Sequence, residues 1–223
     1  VRKLLLVFIP VLAGMIAWLQ FSSMPQAAAQ LQVTLESGKT VSWPPVVGQP
    51  YPDLELKDHR GNLVKLSDFK GKVILIEPIG MTCPACNAFA GADKKGAFKG
   101  MGVQGGLGAI EDHLPQYAGG IKLDDPRIVY VPLLLYNLSM QGPTEQDAKD
   151  WAEHFGIDKR PNTYVLAGTD KLVNQASYDL IPGFQLVDRD FILVSDSAGH
   201  HPQHSMWSHL MPMIPKLLEE KTP

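Results

Sequence analysis

The chain has 223 residues, 45% hydrophobic and 19% charged, which suits one globular domain with appendages. Its net charge of -3 gives no electrostatic reason to expect nucleic acid, and a mild acidity speaks only to solubility. With only two cysteines, three positions apart, the chain is not a disulfide-stapled scaffold.

The amino end reads as a targeting segment. Arg2 and Lys3 form a short positive region, residues 4–19 are almost wholly apolar, and Ala27-Ala28-Ala29 supplies a small-x-small cleavage site before Gln30. Residues 1–29 are therefore expected to be a signal peptide or a retained anchor, with a membrane tether running through residues 4–21. Either form puts the remainder outside the cytoplasm, in the periplasm or a similar space, free or anchored to the inner membrane.

Residues 30–47 form a lead-in. Gln32-Val33-Thr34-Leu35 suits a short strand, and Trp43-Pro44-Pro45 breaks regular structure. The main domain spans residues 48–223. Alternation in Leu54-Glu55-Leu56 and Leu63-Val64-Lys65-Leu66, around Asp58-His59-Arg60-Gly61-Asn62, predicts a hairpin. A turn over residues 67–72 then enters a buried strand at residues 73–77.

Directly after that strand stand the two cysteines, in Cys83-Pro84-Ala85-Cys86, and Asn87-Ala88-Phe89-Ala90 reads as the start of a helix. At a strand-to-helix junction the first sulfur meets unpaired N–H groups and the positive helix end, which favour thiolate over thiol. The second sulfur, one turn on, is placed to resolve a mixed disulfide. Structural zinc would need two further ligands at suitable spacing, and a disulfide across so short a loop would stabilise little. Redox or metal-handling chemistry is the favoured reading.

Residues 91–125 are glycine-rich and predict an irregular excursion with one short helix near residues 109–117, placed to shape access to the cysteines. Residues 127–136 form a strong buried strand, with Pro132 the one feature against it. Thr144-Glu145-Gln146-Asp147 opens a helix with a capping-box pattern, its apolar face being Ala148, Trp151, Ala152 and Phe155, and Gly156 ends it. Asn162-Thr163-Tyr164-Val165-Leu166 is a strand, and residues 184–194 form a hairpin around Asp188-Arg189-Asp190. The tail has helical spacing that Pro212 and Pro215 should kink or fragment. This order gives an α/β mixed sheet covered on both faces.

That order, with Cys83-Pro84-Ala85-Cys86, resembles the thioredoxin-like fold. The stretches Gly48-Gln49-Pro50-Tyr51-Pro52-Asp53-Leu54, Asp58-His59-Arg60-Gly61 and Leu66-Ser67-Asp68-Phe69-Lys70-Gly71-Lys72 are similar to the opening of exported TlpA- and ResA-type redoxins, relatives of the AhpC/TSA-type redoxins. The resemblance covers residues 48–90 and 126–220. It implies an extra N-terminal hairpin before the core fold, a thiol-disulfide oxidoreductase with Cys83 attacking and Cys86 resolving, and no cofactor. The expected partners are protein thiols or disulfides.

Three further roles follow from the resemblance. Glu77, six residues before Cys83, matches a buried acid that exchanges a proton with Cys86 and should have a raised pKa. Ile181-Pro182 matches a cis-proline whose preceding carbonyl and N–H stay free for a partner chain, with Pro161 as its rival. Thr82 and Pro84, beside the attacking sulfur, complete the expected docking surface, although Thr82 replaces the tryptophan that thioredoxins carry there.

Two other functions compete. A copper metallochaperone of the SCO type would combine Cys83 and Cys86 with a histidine, and His200, His201 and His204 form a cluster. Such proteins space their cysteines one residue wider and hold a histidine near the cis-proline, where this sequence reads Leu180-Ile181-Pro182-Gly183-Phe184. A thiol peroxidase would need a Pro-x-x-x-Thr-x-x-Cys frame; Pro78 and Thr82 fit it, but Cys83 comes early and Cys86 one residue late. No metal ligands are assigned.

Overall fold

A computed structural model describes residues 30–219, so the leader or anchor expected over residues 1–29 lies outside the described residues. Strands β1 (Leu31–Thr34) and β2 (Thr40–Trp43) pair antiparallel as a two-stranded sheet of their own. Their inward side chains Val33, Val41 and Trp43 join the main core. Trp43 is wholly buried, precedes a cis bond to Pro44, and donates its indole N–H to Ser177 Oγ at 2.8 Å.

The hairpin of β3 (Glu55–Asp58) and β4 (Leu63–Lys65) follows, pairing Leu56 with Val64. Asp58 Oδ1 closes its turn by accepting the N–H groups of Arg60 and Asn62, at 2.9 and 2.8 Å. Strand β5 (Val73–Gly80) is buried throughout and runs past Glu77 to the first cysteine turn. After it come α1 (Pro84–Ala90), α2 (Ala92–Lys95) and α3 (Ile110–Tyr117). Strand β6 (Ile128–Tyr136) returns parallel to β5, and α4 (Glu145–Phe155) starts at a reciprocal Thr144–Asp147 capping box. The remainder comprises β7 (Leu166–Ala167), a short α5 (Gln175–Tyr178), the hairpin β8 (Gln185–Val187) and β9 (Leu193–Asp196), and α6 (Met211–Glu219).

These strands form a seven-stranded mixed sheet in the order β4-β3-β7-β6-β5-β8-β9. Side chains alternate across it. Ile74, Ile76, Val129 and Val131 pack with Trp151 and Phe155 of α4, while Val73, Leu75, Ile128 and Tyr130 pack with Phe89, Leu114 and Ile214 of α1, α3 and α6. Burial on both faces is why β5 and β6 read as continuous apolar runs. Glu77 shares the parity of Val73 and Leu75, so it points to the α1 side.

Pro132 sits inside β6 after all. On the edge facing β7, Tyr130 N–H donates to Asn162 O, so the missing N–H of residue 132 falls on that same edge. The ladder there is interrupted between the Tyr130–Thr163 bridge and the Leu133–Leu166 pair. Strand β7 is accordingly two residues long, shorter than Asn162-Thr163-Tyr164-Val165-Leu166 suggested. In the tail, a π-helical turn over Met206–Leu210, with Leu210 N–H reaching Ser205 O at 3.0 Å, leads straight into α6. Pro212 follows directly on the π-turn and Pro215 lies inside α6, so the tail stays helical through both prolines, where the sequence suggested a kink or break.

Trp43→Ala removes the largest side chain linking the lead-in hairpin to the core, with its hydrogen bond. It is expected to cost about 3–5 kcal/mol of unfolding free energy, read from the urea midpoint at an unchanged m-value. A midpoint like that of the unaltered protein would show that the hairpin adds no stability.

Candidate active site

Strand β5 delivers its last residue, Gly80, to the turn that carries the cysteines. Cys83 N–H donates to Gly80 O at 2.9 Å, and Met81 N–H donates to Tyr136 O of β6 at 2.9 Å. Cys83 is then the N-cap of α1, with extended backbone angles, and Pro84 occupies the first helical position, where its fixed φ is already helical. The Cys83 sulfur accepts the N–H of Cys86 at 3.2 Å.

Asn87 locks this turn from inside. Its buried side-chain amide donates to Met81 O at 3.2 Å and to Cys83 O at 3.0 Å, and its Oδ1 accepts Phe98 N–H at 3.0 Å. One side chain therefore ties the strand end, the helix start and the glycine-rich excursion together. The excursion also touches the site directly, because Gln104 N–H donates to Pro84 O at 3.0 Å.

The two sulfurs have opposite surroundings. Cys83 is partly exposed and Cys86 fully buried; both are free thiols, 2.7 Å apart, with the Cys86 thiol donating to Cys83. That hydrogen bond, helped by the N–H groups of Cys86 and Ala85, outweighs partial burial and pulls the Cys83 thiol from 9.0 to about 7. Burial first, then the bond to Cys83 and the charges of Cys83 and Glu77, push Cys86 well above 9.0. Near neutral pH the exposed sulfur is thus about half thiolate while the buried one stays protonated.

Glu77 is completely buried, opposite Pro132 in the β5–β6 ladder. The Tyr130 hydroxyl donates to its Oε2, while Oε1 has no protein partner. Burial raises its pKa from 4.5 to about 8, with the Cys83 charge adding to the rise and the Tyr130 bond opposing it. The carboxyl therefore holds its proton where surface carboxylates do not, and its charge is close enough to Cys86 to help raise that thiol. Tyr130 is a site residue the sequence did not reveal; its place in a buried strand hid it among core residues.

A groove of about 570 Å³ opens over Cys83. It brings together Thr82, Pro84, Ile181 and Pro182 from the sequence reading, and adds Tyr136, Met140, Tyr178 and His200. The Ile181–Pro182 bond is cis, and the Arg160–Pro161 bond is not among the cis bonds. Gly183 follows with φ of 142°, and a Cβ there would lie 2.4 Å from Ser197 O, so only glycine fits behind the proline.

Two expectations need correction. The Ile181 N–H is not free: it donates to Tyr178 O at 3.1 Å, because the chain leaving α5 turns directly into the cis-proline loop. No histidine stands in Leu180-Ile181-Pro182-Gly183-Phe184, yet His200 reaches that neighbourhood in space, drawn in by Gly199 N–H donating to Pro182 O at 2.7 Å. His204 lies elsewhere, stacked on His209 at 4.2 Å. Among the described residues no group of three or more His, Cys, Asp or Glu side chains is arranged to hold a metal ion, and no helix is long and apolar enough to cross a membrane.

No family model matches the chain, and no curated protein does. Among solved structures, a candidate electron transfer protein from Aquifex aeolicus VF5 superposes with a TM-score of 0.50 at 17% identity, covering 78% of this chain and 95% of that one. The thioredoxin domain of a thiol-disulfide oxidoreductase from Bacteroides vulgatus gives 0.44 at 20%, covering 76% and 98%. BsSco, a member of the Sco family of cytochrome c oxidase assembly proteins, gives 0.47 at 13%, covering 81% and 99%. The likeness is one of architecture, and it agrees with the sheet order above: the chain has the thioredoxin-like fold.

Asn87→Ala leaves Met81 O, Cys83 O and Phe98 N–H without their side-chain partner. The expected loss is about 1–3 kcal/mol of stability, together with faster amide exchange at Phe98. Unchanged protection at that amide would mean the excursion is held by other contacts.

Proposed function

We propose that the chain is a thiol-disulfide oxidoreductase of the TlpA/ResA type, working on protein thiols or disulfides outside the cytoplasm after export through residues 1–29. The observation that carries the chemistry is the pair of sulfurs 2.7 Å apart, one pulled to about 7 in an open groove and the other sealed beneath it. The location rests on the sequence of the leader alone.

In the reducing direction, the Cys83 thiolate attacks one sulfur of a partner disulfide, forming a mixed disulfide and releasing the other partner sulfur as a thiolate. Cys86 then gives up its proton and attacks Cys83 Sγ, which closes the protein disulfide and frees the second partner sulfur. The barrier to that second step is the high pKa of Cys86. Once the mixed disulfide has removed the Cys83 charge that helps keep Glu77 protonated, Glu77 loses its proton more readily, and its carboxylate is the group positioned to take the one from Cys86. Tyr130 holds Oε2, which leaves Oε1 as the oxygen that can carry it. The oxidising direction runs through the same steps reversed.

Cys83→Ser is expected to abolish exchange with a disulfide substrate, whereas Cys86→Ser should accumulate mixed disulfides through Cys83, seen as adduct mass on non-reducing analysis. Full exchange by Cys83→Ser would rule the assignment out.

Glu77→Gln should slow the release of the mixed disulfide by roughly 10²-fold in single-turnover measurements. It should also change the pH dependence of stability. In the reduced folded protein Glu77 keeps its proton up to about 8, whereas the unfolded chain loses it near 4.5. The associated stability is therefore complete below about 4.5 and lost as pH rises through 8. Urea midpoints of the reduced protein should fall across that window and flatten in Glu77→Gln; an equal slope in both would place the titration elsewhere.

A further inference from the structure

The groove over Cys83 selects by side chain. None of its lining residues is Asp, Glu, Lys or Arg, although 19% of the whole chain is charged. Two of the few large apolar side chains exposed among the described residues, Met140 at 44% and Tyr178 at 47%, both stand on its wall. Neither is a loose loop residue. Met140 has a left-handed backbone, φ 58°, in a turn that the Asn137 side chain fixes by accepting Ser139 N–H and Gln141 N–H at 2.9 and 3.1 Å. Thr82 Oγ1 then donates to Met140 Sδ at 3.5 Å, beside the attacking cysteine. Tyr178 stands edge-on to the buried Tyr136 ring at 6.1 Å, and its carbonyl receives the Ile181 N–H.

That last bond takes one of the two backbone groups with which the cis-proline loop would hold a partner strand. Backbone pairing is indifferent to sequence, so with half of it occupied, side-chain contacts must carry more of the recognition. We infer that the partner is an extended polypeptide segment with uncharged, apolar residues flanking its cysteine, read by Met140 and Tyr178 in place of the tryptophan that Thr82 replaces. Apart from the Cys83 sulfur itself, which the reacting disulfide engages, an ionic flank entering the groove would lose water without meeting an opposite charge. The inference rests on the oxidoreductase reading and deepens it.

The test uses three disulfide-linked peptide homodimers, in which the cysteine is flanked by Leu and Phe, by Asp and Glu, or by Lys on both sides. Each turnover transfers two electrons from the Cys83–Cys86 dithiol to the peptide disulfide, giving one protein disulfide and two peptide thiols that take up the two thiol protons. Mixed with prereduced protein under single-turnover conditions, the Leu/Phe dimer should be reduced with a second-order rate constant at least about tenfold above either charged dimer, at both low and high salt. Met140→Ser and Tyr178→Ser should each bring that ratio toward one, lowering the Leu/Phe rate by about tenfold while the charged dimers hold their rates. Equal rates for the three dimers, or ratios unmoved in both variants, would overturn the selectivity while leaving the exchange chemistry intact. Reduction of no dimer, with Cys83 still alkylated by iodoacetamide, would instead remove the oxidoreductase reading and the inference with it.

Discussion

A single thiol hydrogen bond organises this site: the buried Cys86 S–H pointing at the Cys83 sulfur. It stabilises charge on the outer sulfur and withholds charge from the inner one, so two chemically identical groups acquire different roles. The bond is possible only because Cys83 caps α1, which puts residue 86 one turn away with its N–H also facing the sulfur. The start of that helix is in turn fixed by Gly80, Asn87 and the Pro84 ring. Chemistry at one atom thus depends on strand β5 ending where it does, which is a property of the whole sheet.

The buried carboxyl follows from the same arrangement. An acid inside a sheet is costly when ionised, and one tyrosine hydroxyl is a meagre replacement for water. Glu77 is therefore protonated under conditions where surface carboxylates are not, and in the proposed exchange its poor solvation is what suits it to carry a proton. Were it fully hydrogen-bonded, its pKa would fall and it could no longer exchange a proton with a thiol near neutral pH. Oε1 of Glu77 is one of several buried polar atoms without a protein partner, and the only carboxylate oxygen among them in the described residues.

Much of the fold was legible in the sequence because the signals were local. Runs of β-branched residues marked β5 and β6, the Thr144–Asp147 pattern marked the start of α4, and the position of Cys83-Pro84-Ala85-Cys86 after a strand marked the helix start. What escaped depended on contacts between distant segments. Strand β7 is short because of a proline in its neighbour, thirty or so positions earlier, which no reading of residues 162–166 alone could reveal. Tyr130 and Asn87 looked like ordinary members of a strand and a helix. His200 reaches the groove through a backbone bond to Pro182, and nothing in its own neighbours encodes that approach.

The bond from Ile181 N–H to Tyr178 O bears on how such a site chooses among partners. In an extended loop with both backbone groups open, any strand can dock, and selectivity must come from elsewhere. Closing the N–H against α5 removes part of that general affinity and at the same time holds Tyr178 at the rim. One hydrogen bond therefore weakens the indiscriminate contact and positions a discriminating one. The Met140 turn acts alike from an earlier stretch of the chain, since its Asn137 brace spends hydrogen bonds on presenting an apolar side chain to solvent. Exposed apolar groups held this firmly avoid most of the ordering cost when a partner arrives, so contact area at the rim converts into selectivity more fully than it would on a mobile loop.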